Sequence, residues 1–385
     1  VKLLDHGYRQ KSSDSAYWMR LGDLFAMSAK QLPVLTNHLD ASRAQRSYEK
    51  AQALAPEERD IALRLAAVYE EQGDVEKALA LYRAEVRRRP DEVPLRLKLF
   101  TLLLRAGNKT DAAAELTEVI KREPLRPELY NQLAALYEEL DDTDKALDNF
   151  QQSLIINPDQ PEVYLQIAML QMAQKNFSAA RETLARWRER SPTDFRISYL
   201  TGMMLADEKQ YPEAVAAYRD AETLAAEAPR EIKLNAQFYF AYGAACERAG
   251  DLEKAAELFQ KVIALDPADH MAHNYLGYMW ADKGLHLEEA HRLIVIANER
   301  QPNNGAYLDS LGWVLYRLGR VEEALPHLLR AADLEKDDPT VYEHLAEVLE
   351  KLGRHAEAIQ YLRRAVNADP DNKALAEKLE KLSGQ

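Results

Sequence analysis

Two histidines one helical turn apart are the residues of this chain whose spacing comes closest to a metal site. His270 and His273 stand three positions apart, so one turn could present both imidazoles to an ion. Only Asp266 and Asp269 lie near them, and no Cys or further acidic cluster completes a ligand set. The pattern therefore favours a solvated junction with one packing histidine, and we predict no metal site.

The other candidates for chemistry are isolated as well. The single cysteine, Cys246, cannot form an intramolecular disulfide or a multi-cysteine zinc site. The motifs HExxH, GxxxxGK[ST], GxGxxG and GxSxG are absent from the sequence. An acidic run at Glu138, Glu139, Asp141 and Asp142 is typical of a solvated turn, with a cation or basic peptide as the alternative. We predict no catalytic residue and no cofactor, and hence a protein that is not an enzyme.

Composition predicts a folded, helical protein. The chain has 385 residues with 50 Lys+Arg and 63 Asp+Glu, a net charge of −13 that disfavours nucleic acid as a partner. Apolar residues make up 47% and charged residues 29%, which suits a large core and a solvated surface. Glycine is scarce, with 14 residues, which favours helix over strand. No apolar run reaches the roughly 18 to 20 residues of a membrane span.

A spacing of 34 residues recurs along the chain and marks internal repeats. Proline repeats this spacing from Pro56 to Pro192, where it ends one helix and disfavours helix in the residue before it. Alanine follows the same register with a few longer steps. The alanines of the series are Ala44, Ala78, Ala112, Ala146, Ala180, Ala214, Ala255, Ala290, Ala324 and Ala358. Ten such positions predict ten repeats.

Each repeat has the pattern of two amphipathic helices. In the last repeat, Val341, Leu345 and Val348 form one apolar stripe, Gly353 supplies a turn, and a second stripe begins at Ala358. Small residues recur at the eighth position of the first helix, where they allow two helix backbones to approach closely. These residues are Gly22, Ala66, Ala134, Ala168, Gly202, Gly243, Gly277, Gly312 and Ala346.

This pattern resembles the tetratricopeptide repeat (TPR). The resemblance is carried by Leu311-Gly312, Leu315, Ala324, Leu328 and Ala331, and by Leu345-Ala346, Leu349, Ala358, Leu362, Ala365 and Pro370 in the next unit. It implies an all-α, right-handed α-solenoid superhelix of about ten helix-turn-helix repeats with a C-terminal capping helix.

The expected organisation is an N-terminal segment at 1–14, ten repeats and a capping helix at 373–385. Repeats 1 and 6 carry extra residues near Pro33 and Pro229. The repeats are expected at 15–58, 59–92, 93–126, 127–160, 161–194, 195–235, 236–269, 270–304, 305–338 and 339–372.

In TPR proteins the first helix of each repeat lines a concave face, and the resemblance implies a partner-binding groove there. The residues expected to line it are Met169, Met172, Tyr199, Met203, Phe240, Asn274, Tyr275, Tyr278, Asp309, Trp313 and Tyr316. Methionine and aromatic residues suit peptide binding, although packing against the neighbouring repeat is the alternative for each of them. The resemblance to TPR proteins also implies that Cys246 is a buried, inert thiol.

A second, narrower resemblance concerns repeats 8 to 10. The stretches 274–284, 304–319 and 343–345 resemble the C-terminal repeats of bacterial TPR lipoproteins, some of which are adaptors for carboxyl-terminal processing proteases. Generic TPR packing is the alternative. The resemblance favours the cell envelope over the cytoplasm, although the sequence does not determine the compartment. No lipobox is visible, so a lipid anchor upstream of Val1 stays open.

The sequence thus predicts a non-enzymatic scaffold or adaptor that binds a protein or peptide segment in its concave groove. One alternative is a regulatory TPR region of a larger enzyme. Another is a self-assembling scaffold, a homo-oligomer whose groove holds its own residues 1–14. The identity of the partner is not determined by the sequence.

Overall fold

The structure is a computed structural model that describes residues 2–31, 39–228 and 233–384. These residues form 22 α-helices and no strand, which confirms the predicted all-α class. Pro33 and Pro229, near which the extra residues are predicted, lie outside the described residues. Within the part of the chain that is described, no helix is long and apolar enough to cross a membrane.

The chain divides into two compact units, Val1–Gln174 and Lys175–Gln385. The first contains α1 (Lys2–Tyr8), α2 (Ser15–Gln31), α3 (Leu39–Leu54), α4 (Arg59–Glu71), α5 (Val75–Arg88), α6 (Val93–Arg105), α7 (Lys109–Ile120), α8 (Pro127–Glu138), α9 (Thr143–Ile156) and α10 (Pro161–Ala173). The second contains α11 (Phe177–Arg190), α12 (Phe195–Asp207), α13 (Tyr211–Glu227), α14 (Ala236–Ala249), α15 (Leu252–Leu265), α16 (His270–Lys283), α17 (Leu287–Arg300), α18 (Gly305–Arg317), α19 (Val321–Leu334), α20 (Pro339–Lys351), α21 (His355–Ala368) and α22 (Lys373–Ser383).

Consecutive helices pack as pairs within each unit. The pairs are α2 with α3, α4 with α5, α6 with α7 and α8 with α9 in the first unit, and α12 with α13, α14 with α15, α16 with α17, α18 with α19 and α20 with α21 in the second. Each of these pairs lies within one of the expected repeats. The repeat boundaries themselves remain our proposal.

A left-handed residue makes the turn between the helices of a pair. Gly319 and Gly353 have φ of 80° and 75°, which glycine adopts without steric cost. Repeats 4 and 6 use Asp141 and Lys209 at the same place, with φ of 58° and 60°, although a side chain there costs about 1–2 kcal/mol. The acidic run therefore lies at a turn, and Asp142 caps α9 by accepting a hydrogen bond from the Lys145 backbone N–H.

Small residues allow close contact between the two helices of a pair. A Cβ added at Gly312 of α18 would lie 2.5 Å from Leu328 Cγ and 3.2 Å from the Ala324 carbonyl oxygen of α19. Ala324 and Ala146 are fully buried, as the spacing predicts. The helices therefore meet at a distance that a larger side chain would not permit.

The helices at both ends of the described chain pack against their neighbours. In α1, the Gly7 carbonyl accepts a hydrogen bond of 2.8 Å from Tyr17 Oη of α2. The N-terminal segment is thus helical over Lys2–Tyr8 and contacts its own first repeat. At the other end, Leu375 and Leu382 of α22 are buried in the core of the second unit.

We expect Ala146→Leu to lower the free energy of unfolding by about 1–3 kcal/mol, because the added methylene groups overpack the contact between α8 and α9. Ala135→Leu is the matched control, since Ala135 lies on α8 and is exposed. Urea unfolding followed by circular dichroism measures both. Equal effects of the two substitutions would contradict close packing at Ala146.

Cys246 is a core residue of α14, and burial raises its pKa to about 12. At about pH 8 only on the order of one thiol in ten thousand is then ionised, and the thiolate is the reactive form. We expect a disulfide reagent to modify native Cys246 far more slowly than it modifies the chain unfolded in guanidinium chloride. Equal rates would show that the thiol is accessible and that its pKa is close to the ordinary value.

Candidate partner-binding cleft

Four successive first helices of the second unit form a cleft of about 380 Å³. Helices α14, α16, α18 and α20 contribute its walls. Helix α20 begins at Pro339, and proline suits the first turn of a helix because the backbone N–H that it lacks would have no partner there. The cleft brings together four of the residues predicted to line a groove: Asn274, Tyr275, Tyr278 and Asp309. A volume of this size falls in the range of ligand sites, about 300–1,000 Å³.

Two tyrosines of α16 give the cleft its aromatic surface. The Tyr275 ring is half-buried, with an edge contact to Phe240 at 5.4 Å between centroids and a tilted contact to Phe259 at 5.2 Å. Tyr278 is also half-buried, and its hydroxyl makes no hydrogen bond to the residues that the structure describes. Burial raises the pKa of Tyr278, and the negative charges of Asp309 and Asp282 raise it further. The phenol thus remains a neutral donor in a negative environment.

An unsatisfied amide oxygen adds to this surface. Asn274 lines the cleft, and its Oδ1 atom is buried with no hydrogen-bond partner among residues 2–31, 39–228 and 233–384. A buried acceptor without a donor costs about 1–3 kcal/mol. A ligand that supplied a donor to Asn274 would recover part of this free energy.

Carboxylates outnumber cations around the cleft. Glu247 pairs with Arg248 at 3.2 Å, and Asp282 pairs with Lys283 at 2.9 Å. Two further carboxylates of the lining have no Lys or Arg beside them among the described residues. Asp338 Oδ1 caps α20 by accepting hydrogen bonds from the Thr340 and Val341 backbone N–H groups, and Asp309 contacts His344. The lining therefore carries four carboxylates and two basic side chains.

A buried cluster fixes the floor of this region. His344 Nδ1 lies 3.0 and 2.9 Å from the two carboxylate oxygens of Asp309, and the exposed fractions of the two residues are both 5%. The His344 ring also stacks on Trp313, with centroids 4.0 Å apart and planes 14° apart. The two contacts join α18 to α20 and hold the Asp309 carboxylate in one orientation.

Trp313 and Asp309 differ from the expectation that both line an open groove. Trp313 is only 7% exposed, belongs to the core of the second unit and does not line the cleft. Asp309 does line the cleft, although it is buried and held by His344. The physical reason is that the ninth position of repeat 9 faces the sixth position of repeat 10, so Trp313 and His344 cover each other.

The other predicted groove residues are distributed over both units. On α10 of the first unit, Met169 is half exposed while Met172 is buried. On α12 of the second unit, Tyr199 and Met203 pack against the core, and the Tyr199 ring lies 5.2 Å from Phe238. Phe240 supports Tyr275, as described above. Tyr316 is half-buried, stacks on Trp313 at 5.2 Å and lines a smaller pocket beside α22.

Several charged residues of the cleft were not predicted from the sequence. Glu247, Arg248 and Asp282 occupy the twelfth and thirteenth positions of their repeats, which also face the groove in TPR proteins. A search of those positions for charge as well as for aromatic residues would have found them. His344 belongs to a stretch that resembles the lipoprotein repeats, but its contact with Asp309 was not predicted, because the two residues are 35 positions apart in the chain.

Both histidines of the pair at 270 and 273 make hydrogen bonds within the protein. His270 Nδ1 lies 2.7 Å from Tyr307 Oη, and His273 is buried with its Nδ1–H donating to the Asp269 carbonyl oxygen. Across the described ranges, no three His, Cys, Asp or Glu side chains converge as metal ligands. In the acidic run, Glu139 pairs with Lys109 at 3.0 Å, and burial raises the pKa of Glu138.

We expect Trp313→Ala to lower the free energy of unfolding by about 3–5 kcal/mol, because it removes a buried ring and the stacking on His344. Met169→Ala is the comparison, since Met169 is half exposed, and it should change stability by less than about 1 kcal/mol. Chemical unfolding of both variants measures the difference. A small effect of Trp313→Ala would mean that the indole faces solvent, as the sequence predicted.

Comparison with known proteins supports the repeat pattern. Sequence profiles of the tetratricopeptide repeat match residues 37–93, 97–161, 138–203, 236–269 and 310–373, which together exceed half of the chain. A TPR repeat-containing protein of Pseudomonas aeruginosa is 39% identical over 85 residues. The matched stretch covers 22% of this chain and 14% of that protein.

Two solved structures align with this chain. The crystal structure of the APC/C heterotetramer Cut9–Hcn1 aligns with a TM-score of 0.50 and 17% identity, covering 96% of this chain and 76% of that chain. The crystal structure of YrrB, a TPR protein with an unusual peptide-binding site, aligns with a TM-score of 0.44 and 19% identity, covering 50% and 95%. The likeness to Cut9–Hcn1 extends to the fold alone. On the sequence profiles and the paired helices together, the chain belongs to the tetratricopeptide repeat family.

Proposed function

We propose that this protein is a non-enzymatic interaction scaffold that binds a segment of a partner protein in the cleft between α14 and α20. The observation that carries the proposal is the combination of open volume, two half-buried tyrosines and the unsatisfied Asn274 oxygen in one place. Exposed aromatic surface with polar tips supplies contact area and orientation at low conformational cost.

The charge of the cleft supports a protein partner over a nucleic acid. Four carboxylates line it against two basic side chains, and the whole chain carries a net charge of −13. A phosphate backbone would be repelled by this surface, whereas a peptide segment can pair its own polar groups with the lining. The groove that the sequence implies over repeats 5 to 9 is thus proposed to have its principal contacts in repeats 7 to 10.

A finer proposal concerns the class of partner. Two of the stretches that resemble bacterial lipoprotein adaptors, 274–284 and 304–319, contribute α16 and α18 to the cleft. This coincidence supports a role as an adaptor that binds an envelope protease or its substrate. A regulatory region of a larger enzyme and a self-assembling scaffold are the alternatives, and the identity of the captured protein would distinguish them.

We expect Ala306→Trp to abolish partner binding, because Ala306 is exposed, lies in the cleft and does not contribute to the core. The test is affinity capture from a native cell-envelope extract of the source organism, followed by mass spectrometry. Ala135→Trp is the matched control, with an equally large residue at an exposed position of the first unit.

The proposal predicts at least one protein that the unsubstituted chain and Ala135→Trp capture and that Ala306→Trp does not. Identical sets of captured proteins for all three would place the binding surface elsewhere. Circular dichroism melts of the two variants, expected to agree closely, ensure that the loss reflects occlusion of the cleft.

A further inference from the structure

We propose that the cleft binds an arginine side chain presented by the partner segment. This inference rests on the proposed function and deepens it by naming the chemistry that the cleft selects. It follows from three features of the lining: an excess of negative charge, one buried acceptor without a donor, and two aromatic rings beside them.

The charge of the lining indicates that the ligand is positively charged. Both basic residues of the lining are already paired with a neighbouring carboxylate, Arg248 with Glu247 and Lys283 with Asp282. Asp309 and Asp338 have no Lys or Arg partner in the described residues. Asp309 contacts His344 and Asp338 caps α20, so the lining keeps an excess of carboxylates over Lys and Arg side chains. An acidic side chain entering the cleft would therefore meet net negative charge, while a cation would be stabilised by it.

The environment of Tyr278 also favours a positively charged ligand. Carboxylates around its ring, first Asp309 and then Asp282, raise the pKa of its phenol beyond the effect of burial. Removal of a proton from Tyr278 would add negative charge to a place that is already negative. The same potential that opposes ionisation of Tyr278 attracts a positively charged ligand.

Hydrogen-bond capacity favours guanidinium over ammonium. Asn274 Oδ1 accepts no hydrogen bond from any described residue, and several carboxylate oxygens surround the same space. A guanidinium group carries five N–H donors in a rigid plane, so it can satisfy separated acceptors at once. An ammonium group has three donors around one nitrogen and is hydrated more strongly.

The aromatic surface favours the same group. Tyr275 and Tyr278 lie one turn apart on α16 and both line the cleft. A planar guanidinium group stacks on aromatic rings through cation–π attraction, and arginine does so more often than lysine. The cleft thus combines the two kinds of contact that distinguish arginine from other side chains.

The test uses a random peptide library displayed on phage. Peptides are selected for binding to the full chain, whose second unit contains the cleft. Peptides are retained only if they bind the unsubstituted protein and lose binding to Ala306→Trp. A retained peptide is then synthesised in three forms, with its arginine unchanged, replaced by lysine, or replaced by the neutral isostere citrulline. Fluorescence polarisation measures the affinity of each form.

We expect the retained peptides to share an arginine, and citrulline in its place to weaken binding about tenfold or more. On the protein side, Glu247→Gln with Asp282→Asn should weaken the arginine peptide and leave the citrulline peptide within about twofold. Glu257→Gln with Asp333→Asn is the matched control, since both carboxylates are exposed and lie outside the cleft. It should leave every affinity within about twofold.

The outcomes separate this inference from the proposed function. Retained peptides without a shared arginine, or with equal affinity for the arginine and citrulline forms, would overturn the inference and leave peptide binding in the cleft intact. Arginine peptides that bind Ala306→Trp as well as the unsubstituted chain would place the basic site elsewhere and overturn the inference. Failure to retain any peptide would overturn both.

Discussion

Close contact between the two helices of each pair is the constraint on which the rest of the structure depends. At α18 and α19 the Gly312 backbone faces Leu328 and the Ala324 carbonyl with no room for a Cβ atom. Because small residues recur at steps of 34 positions with a few longer ones, the pairs within each unit adopt a similar spacing and stack on their neighbours. The first helices of neighbouring pairs are thereby brought side by side.

In the second unit, the faces of these neighbouring first helices together line the cleft. Residues spaced about 35 positions apart in the chain become neighbours, as Asp309 and His344 do at 2.9 Å. The cleft uses one helix from each of four pairs, so no single repeat contains it. A change at one pair that altered its spacing would therefore also change the position of the cleft residues on the next.

The same packing explains why the cleft can carry unsatisfied and excess polar groups. The aromatic and aliphatic core of the second unit extends from α12 to α22 and supplies its stability. Tyr278 packs against this core from the cleft side, and Asn274 Oδ1 is buried beside it with no hydrogen-bond partner among the described residues. Asp309, in contrast, is held by His344, which fixes the position of a negative charge before any partner arrives.

The sequence by itself determined the helical class, the period and the small residues at helix contacts, because these depend on residues that are near one another in the chain or repeat at a fixed interval. It also named Asn274, Tyr275, Tyr278 and Asp309 as groove residues. Only the tertiary structure decided that these four share one cleft and that Trp313 is buried against His344. The physical reason is that burial and hydrogen bonding at the groove depend on which side chain the next repeat presents, and a local spacing does not record that contact.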